Sequence, residues 1–80
     1  MEKIEVKNRI QEVFRDVLDN DDILLENDMT AEDIDGYDSL THIQLVVAIE
    51  KEFKTKFSSK EMMTWSTIGE MIDCVFVKVN

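Results

Sequence analysis

Gly36-Tyr37-Asp38-Ser39-Leu40-Thr41-His42-Ile43-Gln44-Leu45-Val46-Val47-Ala48-Ile49-Glu50-Lys51-Glu52-Phe53-Lys54 holds the information that decides the fold. Asp38 is a strong helix N-cap, because its carboxylate can accept from the free backbone N–H groups of a first turn. Gly36-Tyr37 before it supplies a chain reversal. A helix is expected from Ser39 to near Lys54. On a wheel at about 100° per residue with Leu40 at zero, Leu45, Val46, Ile49 and Phe53 fall between about 140° and 240°. That face belongs to a core. Leu40, Ile43 and Val47 fall between about 300° and 360°, nearly opposite. A helix at the edge of a small bundle has one core to face, so this second stripe is either exposed or roofed by the preceding connection. If exposed, Leu40, Ile43 and Val47 make an apolar docking patch beside Ser39, rimmed by Gln44 and Lys51. His42, near 200°, lies on the core face and reads as a packed or hydrogen-bonded residue rather than a catalyst.

Outward from this helix, the pattern stays helical. Val6, Ile10, Val13, Phe14 and Val17 recur at helical spacing, so roughly residues 2–18 form a first helix. It dissolves into Asp19-Asn20-Asp21-Asp22, a cluster of helix stoppers. A long connection follows, with Ile23, Leu24, Leu25, Met29 and Ile34 as apolar anchors; such loops are pinned to a core and often functional. Ser58 with Glu61 is a capping box for a short helix, and Thr67 with Glu70 signals a last one in the same way. Ile68, Met71, Ile72, Val75, Phe76 and Val79 give that last helix its apolar face. With no Pro and two Gly in 80 residues, sandwiches and barrels lack their turns. The expected fold is all-α, a single domain over residues 1–80 with three longer helices, one short third helix and a long first connection. Met29, Met62, Met63 and Met71 are expected in a core that can deform between the second and fourth helices.

Eighteen acids against nine bases leave a net charge of −9, which repels nucleic acid and anionic membrane. The charge is also unevenly placed. No Lys or Arg stands between Arg15 and Lys51, whereas eleven Asp and Glu do. Basic patches on other proteins are the natural electrostatic partners of such a stretch. A single cysteine, Cys74, excludes an internal disulfide and fits a reducing compartment. No apolar run approaches membrane-spanning length and no signal-peptide core is present, so a cytoplasmic monomer is expected.

Catalytic and metal constellations do not assemble. Asp19-Asn20-Asp21-Asp22 fails as a calcium loop, because Ile23 breaks the alternation, Leu24 stands where glycine is required and Thr30 where the closing Glu belongs. Asp38, Ser39 and His42 share one helical turn in the wrong orientation for a triad, and no oxyanion hole is in view. Cys74 falls off the apolar stripe of the last helix and reads as an inert thiol. No residue is assigned a catalytic or metal-binding role, and the chain is expected to be no enzyme on its own.

Gly36-Tyr37-Asp38-Ser39-Leu40, opening a helix that continues Leu45, Val46, Ala48, Ile49, Glu50, Glu52, Phe53, resembles the acyl carrier protein family. The resemblance runs over nearly the whole chain, including the acidic connection, the short third helix after Phe57 and the final helix opened by Ser66-Thr67-Ile68. It implies a four-helix carrier bundle in which Ser39 bears covalent 4′-phosphopantetheine, drawn from coenzyme A, whose thiol holds acyl groups as thioesters. Asp38 is implied as N-cap and in recognition by the phosphopantetheinyl transferase. Leu40, Ile43, Gln44 and Val47 are implied in docking, and Met62 and Trp65 in contact with the arm or cargo. Further implied partners are an acyl-activating ligase, acyltransferase or ketosynthase with basic docking patches. Physical chemistry agrees at Ser39, since a first helical turn favours an anion.

The family's fatty-acid members usually place acids just after the serine. Here Thr41, His42 and Gln44 stand there, Lys51 and Lys54 follow, and Tyr37 is bulkier than the usual residue before the Asp. These departures imply a specialised pathway, such as polyketide, modified-lipid or cell-surface chemistry. An aminoacyl, D-alanyl or peptidyl carrier is the alternative, and an unmodified acidic helical adaptor is the third possibility.

Overall fold

A computed structural model of the chain describes residues 1–34 and 36–80. Four α-helices follow in order: α1 Lys3–Leu18, α2 Ser39–Phe53, α3 Ser59–Met63 and α4 Ile68–Val79, with a 3₁₀ turn at Ala31–Asp33 in the long connection. No strand occurs among the described residues. The all-α expectation is met, and α2, α3 and α4 start directly after the capping residues Asp38, Ser58 and Thr67, whereas α1 starts after Glu2, whose side chain makes no cap.

Helix α1 is the hub. Val6, Ile10 and Phe14, one turn apart, are fully buried, and α1 packs against both α2 and α4, whose direct approach to one another is sparser. Helix α2 contributes Leu45, Val46 and Ile49 to this core, and α4 contributes Ile68, Met71, Ile72 and Val75. These are the faces that helical periodicity selects. Helices α1 and α2 end without glycine. Asp19 and Lys54 adopt the left-handed conformation, with φ of 51° and 54°, and the N–H after each reaches back five residues, from Asn20 to Arg15 O at 3.0 Å and from Thr55 to Glu50 O at 3.0 Å. Those bonds satisfy carbonyls that the helix leaves open, against a conformational cost of about 1–2 kcal/mol per non-glycine residue.

The long connection is strapped to the core at several points. Ile23, Leu25 and Ile34 are buried. Arg15 Nε donates to Ile23 O at 2.9 Å, and Leu25 N–H donates to Gln11 Oε1 at 2.9 Å, tying the strap to α1. At its other side Ile68 N–H donates to Met29 O at 2.8 Å and Gly69 N–H to Asn27 O at 2.9 Å. The first turn of α4 therefore spends otherwise open N–H groups on the loop.

Two expectations need correction. Met63 is 85% exposed, so it lies outside the core that Met29, Met62 and Met71 join; on a five-residue helix it occupies the solvent side. The cap of α4 is only half a box. Thr67 Oγ1 accepts from Glu70 N–H at 3.2 Å, but the Glu70 carboxylate accepts from Ser66 N–H at 3.1 Å, one residue before the cap. The box at α3 is reciprocal, with Glu61 N–H to Ser58 Oγ at 3.1 Å and Ser58 N–H to Glu61 Oε1 at 2.9 Å. No described helix is long and apolar enough to cross a membrane.

Candidate functional site

The site is built on the chain reversal that launches α2. Gly36 has φ of +82°, a region that side-chain-bearing residues avoid, and an added Cβ would meet only Leu18 Cδ2 at 3.9 Å. Backbone conformation, not space, therefore calls for glycine here. Asp38 is extended, and its Oδ1 accepts from Thr41 N–H at 2.8 Å. Thr41 Oγ1 closes the turn from the other side by donating to Gly36 O at 3.2 Å. This second bond had no cue in the sequence pattern. The Thr41 N–H above all holds the Asp38 carboxyl below the usual carboxylate range, so Asp38 is an anionic cap already committed to its own helix. It is poorly placed to serve as a base.

Ser39 is the first residue of α2 and is exposed. Its hydroxyl stands at the positive end of a 15-residue helix, where the open N–H groups and the helix dipole favour an attached anion by roughly 0.3–1 kcal/mol. Beside it opens a groove of about 530 Å³, lined by Ala31, Tyr37, Asp38, Ser39, His42 and Ile43. Ala31 enters this lining through the 3₁₀ turn, a contribution that helical periodicity could not anticipate.

Tyr37 and His42 brace the floor of the site. The Tyr37 ring packs on Phe14 with centroids 6.1 Å apart, and its hydroxyl and His42 Nδ1 are 2.5 Å apart. Burial pushes the Tyr37 hydroxyl above its ordinary pKa, which favours the neutral phenol and keeps it available as a donor. His42 is half-buried and hydrogen-bonded, as its position on the core face predicts. Tyr37 turns inward to Phe14 and does not roof the second stripe. Leu40, Ile43 and Val47 are 66%, 60% and 43% exposed, and Gln44 beside them is exposed as well. The stripe is an open surface leading away from Ser39.

Met62 and Trp65 lie apart from the groove lining. Both are half-buried against the core. Trp65 meets the Phe57 ring edge-on at 5.1 Å, and its Nε1 is buried without a hydrogen-bond partner among the described residues. Cys74 is half-buried with Sγ 3.9 Å from Glu61 Oε2, an oxygen that Lys78 Nζ engages at 2.9 Å. No group of His, Cys, Asp and Glu among the described residues could hold a metal ion.

The family model for the phosphopantetheine attachment site matches residues 8–75 of this chain. Among solved structures, the fold is similar to a holo acyl carrier protein from Geobacter metallireducens determined by solution NMR. The TM-score is 0.87 and the sequence identity 35%, with 92% of this chain and 85% of that one covered.

Proposed function

The chain belongs to the phosphopantetheine-attachment family of carrier proteins, and from that premise we propose that Ser39 is its attachment point and that its cargo is an acyl group of a specialised pathway. The observation that carries the assignment is the exposed Ser39 hydroxyl in the first turn of α2, beside the groove that Ala31, Tyr37, His42 and Ile43 line. Two features suit 4′-phosphopantetheine. A phosphodiester on Ser39 Oγ would stand at the positive end of α2. The buried Trp65 Nε1 has no acceptor among the described residues, and an unpaired buried donor costs about 1–3 kcal/mol, which an amide or thioester carbonyl could relieve.

The bound group supplies a thiol that holds acyl chains as thioesters. The protein's own contributions are narrower. Ser39 Oγ is the nucleophile that attacks the pantetheine-side phosphate of coenzyme A; the phosphoanhydride bond breaks, 3′,5′-adenosine diphosphate leaves, and the serine proton passes to the transferase, because Asp38 is engaged by Thr41 N–H. Asp38 and Thr41 hold the serine in a single presentation. Leu40, Ile43 and Val47, with Gln44, form the surface on which partner enzymes dock; their exposure supports that role. Met62 and Trp65 take the arm or cargo where α2 and α4 pack more sparsely, with α1 as the fixed wall. Thr41, His42 and Gln44, none of them acidic, follow the serine and support loading enzymes other than those of primary fatty-acid synthesis.

Intact-protein mass after incubation with coenzyme A, magnesium and a broad-specificity phosphopantetheinyl transferase tests the assignment. The gain of one phosphopantetheine, absent in Ser39→Ala, is expected. No gain by a well-folded wild-type protein across several transferases would favour an unmodified acidic adaptor.

A further inference from the structure

The exposed stripe of α2 does not stop at Val47. At helical spacing Leu40, Val47 and Lys51 follow one another along a single line, with Lys51 about 20° from Leu40 on the wheel, and Lys54 ends the helix just beyond it. At the far end Val47, Lys51, Lys54 and Lys56 line a common depression of about 340 Å³ with Glu50 and Thr55. Glu50, the one acid there, points its Oε2 at Phe57 N–H at 2.8 Å. None of the three lysines makes an ion pair among the described residues. The depression therefore carries three lysines against the single carboxylate of Glu50, a net positive lining beside an exposed valine. The opposite end has the other sign. Asp38 caps the helix, and the 3₁₀ turn that brings Ala31 to the groove beside Ser39 and Ile43 also carries Glu32 and Asp33, both exposed.

Resting on the carrier reading above, we propose that α2 is a dipolar docking rail, matched to an arm-processing enzyme whose cleft is apolar in the middle, basic where it meets Ser39 and acidic where it meets Lys51, Lys54 and Lys56. Twelve residues of α-helix separate the two signs, so the acidic group of the partner sits about 18 Å from the entrance that receives the arm. An enzyme with basic residues along the whole footprint is opposed at the lysine end, because like charges across an interface discriminate against a partner more strongly than matched ones add affinity. The net charge of −9 argues against reading the lysine end as a nucleic-acid or anionic-membrane site.

Two synthetic amphipathic helical peptides with the same apolar face serve as probes, one with Arg at one end and Glu at the other, one with Arg at both ends. The protein is first loaded by the transferase and weighed, so a missing arm reports on the carrier reading alone. The titration with ¹⁵N-labelled protein is then read in either state. At low salt the polarised peptide is expected to bind about tenfold more tightly, as two or three exposed ion pairs allow. It should shift the amides of Leu40, Val47 and Lys51, and the preference should vanish near 1 M salt, where screening acts within about 3 Å. Lys51→Glu with Lys56→Glu, at two exposed positions away from the left-handed Lys54, should reverse the order. Equal or tighter binding of the all-Arg peptide to wild type overturns the proposal, as does a preference that survives high salt.

Discussion

Gly69→Ala sets helix propensity against tertiary packing, and the two give opposite signs. Gly69 is in the first turn of α4, and alanine is favoured over glycine inside a helix by about 1 kcal/mol. On propensity the substitution stabilises. In the fold, a Cβ at Gly69 would lie 2.7 Å from Asn27 O, 3.1 Å from Asn27 Cβ and 3.2 Å from Asn27 Cα. Ordinary contact begins near 3.4 Å, so the backbone of the long connection has to retreat by about 0.7 Å. That retreat pulls on the Gly69 N–H to Asn27 O bond, now 2.9 Å, and on the neighbouring Ile68 N–H to Met29 O bond, now 2.8 Å. Overpacking of this kind costs about 1–3 kcal/mol, and a weakened hydrogen bond adds about 1 kcal/mol. Against the propensity gain, a net destabilisation of about 1–3 kcal/mol remains. For a domain of this size that corresponds to a Tm lowered by roughly 5–20 °C. Urea and thermal unfolding followed by circular dichroism would measure it, with amide spectra expected to change at Asn27, Met29 and Ala31. A Gly69→Ala protein as stable as wild type, or more stable, would show that the loop does not press on α4.

Removal of Phe14 tests the hub. Phe14→Ala is expected to cost about 3–5 kcal/mol, close to the whole stability of so small a domain, and to abolish a cooperative melt. The carboxyls of Asp38 and Glu61 are held below their ordinary values, chiefly by the Thr41 and Ser58 N–H groups respectively. Just below the ordinary carboxylate range the unfolded chain therefore binds more protons than the folded one, so stability rises with pH there and is lost as pH falls through the folded values. Asp38→Asn keeps a cap that does not titrate; urea midpoints across roughly pH 3 to 6 should show a shallower slope than wild type, and parallel slopes would count against the Asp38 contribution. Leu40→Ala with Val47→Ala removes only exposed side chains, so stability should change by less than about 0.5 kcal/mol. Arm loading by the transferase should slow about tenfold if the stripe is the docking surface, and an unchanged rate would place transferase docking elsewhere.

The parts of this protein that were legible in the sequence are those set within one helical turn. Asp38 and Thr41, Ser58 and Glu61, and the buried faces of α1, α2 and α4 all follow from residues three or four apart, whose proximity the helix itself guarantees. His42 was legible for the same reason, although its partner Tyr37, five residues back across the chain reversal, was not. Periodicity identified a second apolar stripe on α2 but left open whether it is covered, since one helix carries no information about what lies above it. The tertiary structure resolved that by turning Tyr37 inward onto Phe14 and leaving Leu40, Ile43 and Val47 in solvent. It also placed Ala31 beside Ser39, set Asn27 against Gly69 and tied Leu25 to Gln11. Those contacts join segments distant in sequence through backbone groups that every residue carries, so no residue type announces them. Local pattern determines where each helix begins and which side it buries; only the packed chain decides how the long connection closes over the core and which apolar side chains remain in solvent.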